Sequence, residues 1–232
     1  LGDVYKRQPL LDIRLLGDRH FGVSMLVLII FGIGMFGGSY LLPLYMQKGL
    51  GYTAIMAGSV FLPVGLIQGV LSTCSGFLTR YIKPLFIAVT GILVMTLSFY
   101  FASRFTLHTT HAQIMLVLYL RGFGMGLTFA PLNDFSLMNL SQRDMASAAG
   151  ISNSIKQLSG SVSIALLTVI LTGRTAFHSA QGGLSSAESY VAGISDDFLF
   201  VTFVSLASAL PFLWLLRPRR KAASFKSEGT GT

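Results

Sequence analysis

The chain has 232 residues, of which 52% are hydrophobic and only 11% charged, with a net charge of +8. So little charge excludes an ordinary soluble domain, in which about a quarter of residues carry one. The cations are spread along the chain and not massed with aromatics on one face, which argues against nucleic acid and for a basic rim facing anionic lipid.

In chain order, residues 1–20 read as a cytoplasmic leader. Leu1–Gln8 is polar, unlike everything after it, and is set aside as a non-native scar. Pro9–His20 is expected to lie along the membrane surface, with Leu10, Leu11, Ile13, Leu15 and Leu16 toward lipid and Arg14 and Arg19 toward headgroups. Six nearly charge-free apolar runs follow: Phe21–Met46, Ala54–Thr79, Pro84–Ser103, Ala112–Met138, Ala146–Leu171 and Phe198–Leu216. Each suffices for a helix crossing a hydrocarbon core of about 30 Å, and none alternates as a barrel strand does. The fold class expected is an all-α membrane protein: a six-helix transmembrane bundle over residues 21–216, then a basic cytoplasmic tail at 217–232. Thr172–Asp197, rich in Gly, Ser and Ala, reads as a loose external loop with at most a short surface helix.

Basic residues set the orientation. Outside the runs, twelve Lys and Arg fall on the amino-terminal segment, the second and fourth connections and the tail, against only Lys48, Arg104 and Arg174 on the other side. The positive-inside bias therefore places both termini in the cytoplasm, as an even number of spans requires. Cys74, the single cysteine, falls within the second run and is expected to be buried and inert. The four histidines sit at run ends or in connections, and His108-Thr-Thr-His111 lacks the Cys or carboxylate company of a metal site, so no metal is expected there. Tyr45, Tyr100, Phe101 and Trp214, at run ends, read as interfacial anchors.

Glycines crowd the first, second and fourth runs, where small residues let helix backbones approach, and Pro43, Pro63, Pro131 and Pro211 mark kinks. Gly122-Phe-Gly-Met-Gly126 superficially matches a nucleotide loop. It lies mid-span with no strand before it, so close helix packing is its expected role.

Several segments together resemble one family. Pro9-Leu-Leu-Asp-Ile-Arg-Leu-Leu16, Leu42-Pro-Leu-Tyr-Met-Gln47 with Gly51-Tyr52, Ala57-Gly58 and Leu62-Pro63, Arg121-Gly-Phe-Gly-Met-Gly126 with Ala130-Pro-Leu-Asn133, and Ala148-Ala-Gly-Ile-Ser-Asn153 with Lys156-Gln-Leu-Ser-Gly-Ser161 occur in family order. The chain is similar to the carboxy-terminal half of a major facilitator superfamily multidrug transporter of the EmrB/QacA, fourteen-helix drug:proton antiporter type. The resemblance implies one bundle of two inverted three-helix repeats in the bacterial inner membrane. It also implies proton-coupled export of lipophilic or cationic drugs by alternating access, with no cofactor and no catalysis. The partners implied are the missing amino-terminal half, protons, small lipophilic drugs, membrane lipid and a periplasmic adaptor. Lys156 departs from the family's arginine before the glutamine, and the connection Gly76–Lys83 lacks the aspartate of the superfamily's loop motif.

Within this frame the candidate substrate and proton pathway comprises Arg121, Lys156, Asn153, Gln157, Gln68, Tyr40, Phe36 and Asp134. Arg121 and Lys156 fall near the midplane, where a cation faces a wet cavity or a partner; the alternative is a tether to backbone carbonyls or glutamine. Gln68 and Asn153 are mid-span amides in need of partners. Asp134 is the only acid inside a proposed run, near its cytoplasmic end, where pairing with Arg143 competes with a role in proton transfer. Phe31, Met35, Phe36, Tyr40, Phe61, Tyr119, Met125 and Phe129 offer adaptable surface for lipophilic cargo. Two other classes remain open: a non-transporting scaffold or assembly subunit, and an intramembrane hydrolase, for which no Gly-x-Ser-Gly and no mid-span histidine is present.

Overall fold

A computed structural model of the chain describes residue 17 and residues 19–137, 144–181 and 183–211. The described residues form six α-helices: α1 (Arg19–Leu44), α2 (Ala54–Leu78), α3 (Pro84–Ala102), α4 (His111–Leu137), α5 (Met145–Ala180) and α6 (Ser186–Ala207). All six are long and apolar enough to cross a membrane. A π-helical turn, Tyr45–Gly49, continues α1 two residues after Pro43. Local chemistry sets several boundaries. Gly51 at φ 71° opens the turn before α2, and the Thr53 hydroxyl accepts the Met56 N–H at 3.2 Å. Pro84 occupies the first turn of α3, where its missing N–H costs nothing.

The pairing of helices follows the small residues. At the α3–α4 crossing, a Cβ on Gly91 would stand 2.7 Å from the Gly124 carbonyl oxygen, and one on Gly124 would stand 2.7 Å from the Gly91 oxygen and the Met95 nitrogen. Gly122 and Gly126 admit the backbone of α2 in the same way, at Val64 and Gln68. Gly32 and Gly37 of α1 meet Ser159 and Leu167 of α5, and Gly34 meets Ser205 of α6. Exchanging α1 with α4, α2 with α5 and α3 with α6 turns the α2–α4 pair into α5–α1 and the α3–α4 pair into α6–α1, all of which are in contact. This is the relation two three-helix repeats produce. It is broken at one place: α5 packs along α6, whereas α2 and α3 scarcely touch.

Four expectations are corrected. Thr172–Asp197 is helical for most of its length: α5 runs on to Ala180 and α6 begins at Ser186, with Ser185 and Glu188 forming a complete capping box. Arg174 Nε donates to Asp196 Oδ2 at 2.7 Å and His178 Nε2 lies 2.8 Å from the same oxygen, so the polar groups that mimic a loop brace two helices. Tyr45 is no interfacial anchor. It is fully buried, stacked on Phe105 at 4.8 Å, and its hydroxyl donates to the Thr106 carbonyl at 2.7 Å. Cys74 is exposed, because α2 buries only the face of Ala57, Val60, Val64 and Ser75. The α2 glycines 58, 65, 69 and 76 face open space, since on this helix the close approach is made by its partner's glycines. Pro9–Leu16, Arg143, Trp214 and the tail at 217–232 lie outside the described residues.

Candidate substrate and proton pathway

Arg121 is 4% exposed and crosses from α4 to α1, where its Nη2 donates to the Met35 carbonyl at 3.0 Å and the Ser39 hydroxyl at 2.6 Å. Gly38 makes the passage possible, since a Cβ there would sit 2.6 Å from the Arg121 Nε. That Nε has no hydrogen-bond partner among the described residues. The contacts are those of a tether, yet they leave a buried guanidinium with a donor unused and no carboxylate paired to it among the described residues, a costly arrangement inside a membrane.

Lys156 of α5 is reached from the same two helices. Its Nζ donates to Asn133 Oδ1 at 3.3 Å and lies 4.7 Å from the centroid of the Phe129 ring, both on α4. These residues, with Leu28, Phe31, Gly32, Met35, Phe36 and Leu132, line a tight crevice of about 10 Å³. Asn153 and Gln157 stand one turn apart beside Lys156 on α5, and both are exposed. Asn133 was not among the sequence candidates, although its place four residues after Phe129 on one helix face was a usable signal.

Further along the α1–α5 seam the helices close. Phe36 packs on Gly160, Ser163 donates to the Ile33 carbonyl at 3.1 Å, and the Tyr40 and Thr168 hydroxyls share a hydrogen bond of 2.8 Å. Beyond this closure lies a second cavity, of about 360 Å³, walled by Tyr40, Leu44, Lys48, Thr172, Thr175 and Tyr190 among others.

The structure therefore gathers Arg121, Lys156, Phe36 and Tyr40 on one seam between α1, α4 and α5. It does not bring the remaining candidates into it. Gln68 is half-buried against Gly126 on the α2–α4 side, and Asp134 is exposed, about 20 Å along α4 from Arg121. Of the aromatic and methionine set, Phe31 and Met125 are core residues, while Tyr119 is 39% exposed on the bundle's outer surface. No group of three or more His, Cys, Asp or Glu able to hold a metal occurs among the described residues.

Residues 2–164 match the family model of the Major Facilitator Superfamily. The chain belongs to that superfamily. Among similar proteins, the uncharacterized MFS-type transporter YhcA of Bacillus subtilis is 34% identical over 173 residues, covering 75% of this chain and 32% of the relative. The multidrug export protein EmrB of Haemophilus influenzae is 31% identical over 174 residues, 75% of this chain and 34% of the relative. The lincomycin resistance protein LmrB of Listeria monocytogenes is 24% identical over 216 residues, 91% of this chain and 46% of the relative. The chain thus spans about a third to a half of the curated relatives it matches. For a member of the Major Facilitator Superfamily, six helices arranged as two three-helix repeats make one bundle.

Proposed function

We propose that the chain is one six-helix bundle of a proton-coupled exporter of lipophilic or cationic drugs. It works by alternating access in the bacterial inner membrane, with both termini in the cytoplasm, and is completed by an amino-terminal half of the same transporter. The observation that supports this most is the α1–α4–α5 seam, where two membrane-embedded cations have amide, hydroxyl, carbonyl and aromatic neighbours but no ion pair among the described residues. Such cations complement carboxylates brought by a facing bundle. The names of EmrB and LmrB, a multidrug exporter and a lincomycin resistance protein, point the same way. A non-transporting assembly subunit accounts for the glycine packing but leaves the buried cations without a purpose. A periplasmic adaptor is a further partner of the exporter reading.

The test is expression in a drug-sensitive host. The full-length transporter containing these residues should confer resistance and drive drug uptake into inverted vesicles under a pH gradient, and this chain alone should do neither. Robust efflux by the chain alone contradicts the single-bundle reading.

Orientation is checked by thiol labelling. Cys74 must first become alanine, because it is exposed. A single cysteine at Lys83, at the start of α3, should then be shielded from an impermeant reagent in intact cells, while one at Gln181 should react. Labelling at Lys83 reverses the orientation.

A further inference from the structure

Glu188, Asp196 and Asp197 all fall in the segment that the sequence marks as a loop, and the last of them is set apart by its surroundings. Asp197 lies within α6, is fully buried, and neither of its oxygens has a hydrogen-bond partner among the described residues. Its position on α6 is fixed by its neighbours one turn to each side. Gly193 faces Thr175 of α5, whose hydroxyl stands 2.5 Å from the site of a glycine Cβ, and Val201 packs against Gly37 of α1. Asp197 therefore occupies the stripe of α6 that meets the α1–α5 seam. Two turns before it on the same stripe, Tyr190 walls the 360 Å³ cavity, as does Thr175 on the facing helix.

Arg121 of α4 reaches α1 at Gly38, beside the Gly37 that meets Val201, and is bonded there to Met35 and Ser39, while His108 lies by Glu188 at the start of α6. Arg174 and His178 of α5 are engaged by the adjacent Asp196. Glu188, two turns before Asp196, closes the capping box at Ser185. From α1 and its π-helical continuation come Tyr40, bonded to Thr168, and Lys48, whose Nζ sits 5.8 Å over the Tyr190 ring at the cavity. Tyr100 of α3 is turned outward and is bound by Arg104. Among the described residues no cation thus pairs with Asp197. An ionised carboxylate enclosed by protein without a partner is severely penalised, whereas the neutral acid is tolerated and needs only one acceptor. The Thr175 hydroxyl, itself buried and without a partner, lies on the facing helix one turn away.

We propose that Asp197 is a proton-binding site of this bundle. It holds a proton while α6 is packed on α1 and α5 as here, and it exchanges that proton with water through the cavity walled by Tyr40 and Tyr190 when the seam loosens. As a coupling site it rests on the proton-antiport reading above; as a proton site it stands by itself.

The experiment uses the full-length transporter, purified and reconstituted. Infrared difference spectra between acid and alkaline pH should show a protonated-carboxyl C=O band that is lost in Asp197→Asn and kept in Asp196→Asn. Asp197→Asn should fold normally, because the amide closely matches the neutral acid in shape. Efflux of ethidium driven by a pH gradient should be abolished in Asp197→Asn, while ethidium exchange without a gradient persists. A band unaffected by Asp197→Asn, or a variant that fails to fold, overturns the proposal, the latter because the site then requires the charged form. If the wild type shows the Asp197-dependent band but no gradient-driven efflux, the proton site stands and the antiport reading fails. Gradient-driven efflux at the wild-type rate in Asp197→Asn removes Asp197 from coupling.

Discussion

Alanine at Gly124 should destabilise the bundle by about 1–3 kcal/mol, whereas alanine at Gly65 should be neutral or stabilising by up to about 1 kcal/mol. Both glycines lie inside apolar helices and look alike in sequence. They differ in what a methyl group would meet: at Gly124 two backbone atoms of α3 at 2.7 Å, at Gly65 nothing within 4 Å. Backbone cannot swing aside as a side chain can, so α3 and α4 must separate along their whole contact and lose the dispersion that holds helices together in lipid. Gly91→Ala strikes the same crossing from the other side. The double variant should therefore cost less than the sum of the two, because the first separation makes room for the second methyl. Thermal unfolding of the full-length protein in detergent checks this. Equal stability of Gly124→Ala and Gly65→Ala would show that the two helices are not in close contact.

The second large effect is expected at Arg121. Replacing the guanidinium with methionine keeps much of its length and removes a buried charge whose donors are only partly used, so the change in stability should stay within about 1 kcal/mol of neutral, in either direction. Efflux per molecule should nevertheless be abolished if this charge faces an anionic partner in the completed transporter. Arg121→Lys should give an intermediate result, keeping the charge but losing the rigid five-donor guanidinium, whose Nη2 alone holds both Met35 and Ser39. Abundance-normalised efflux decides the matter. Normal transport per molecule in Arg121→Met, together with a marked loss of thermal stability, would assign the arginine to holding α1 on α4 and nothing more.

Residues whose role depends on composition were legible, and those whose role depends on a distant partner were not. The first four helices begin and end within a few residues of their apolar runs, because the cost of exposing a peptide group to lipid makes hydropathy sufficient. Arg121 and Lys156 stood out because a cation in an apolar run has few explanations. The last nine residues of α5 and the first half of α6 failed for the opposite reason. Arg174, His178 and Asp196 look like loop polarity until they are seen bonded to one another across two helices. Asp197 disappeared with them. A local signal was available in Ser185-Ser-Ala-Glu188, a capping box that announces a helix start. Tyr45 was misread because a tyrosine at a run end has the same sequence appearance whether it meets headgroups or a buried phenylalanine.

The length of α5 has a practical consequence for imaging. Thirty-six residues make a helix of about 54 Å, which exceeds even a bilayer with its headgroup layers, about 40–45 Å, so roughly 10 Å projects beyond. The projecting end does not stand alone, since Asp196 of α6 clamps Arg174 and His178 and ties two helices into a rigid ledge. A small transporter embedded in a micelle offers little outside it by which particles can be aligned. A helical fiducial fused in register after Ala180, or an antibody fragment raised to the ledge, would move as one body with α5 and so report the tilt of the bundle directly.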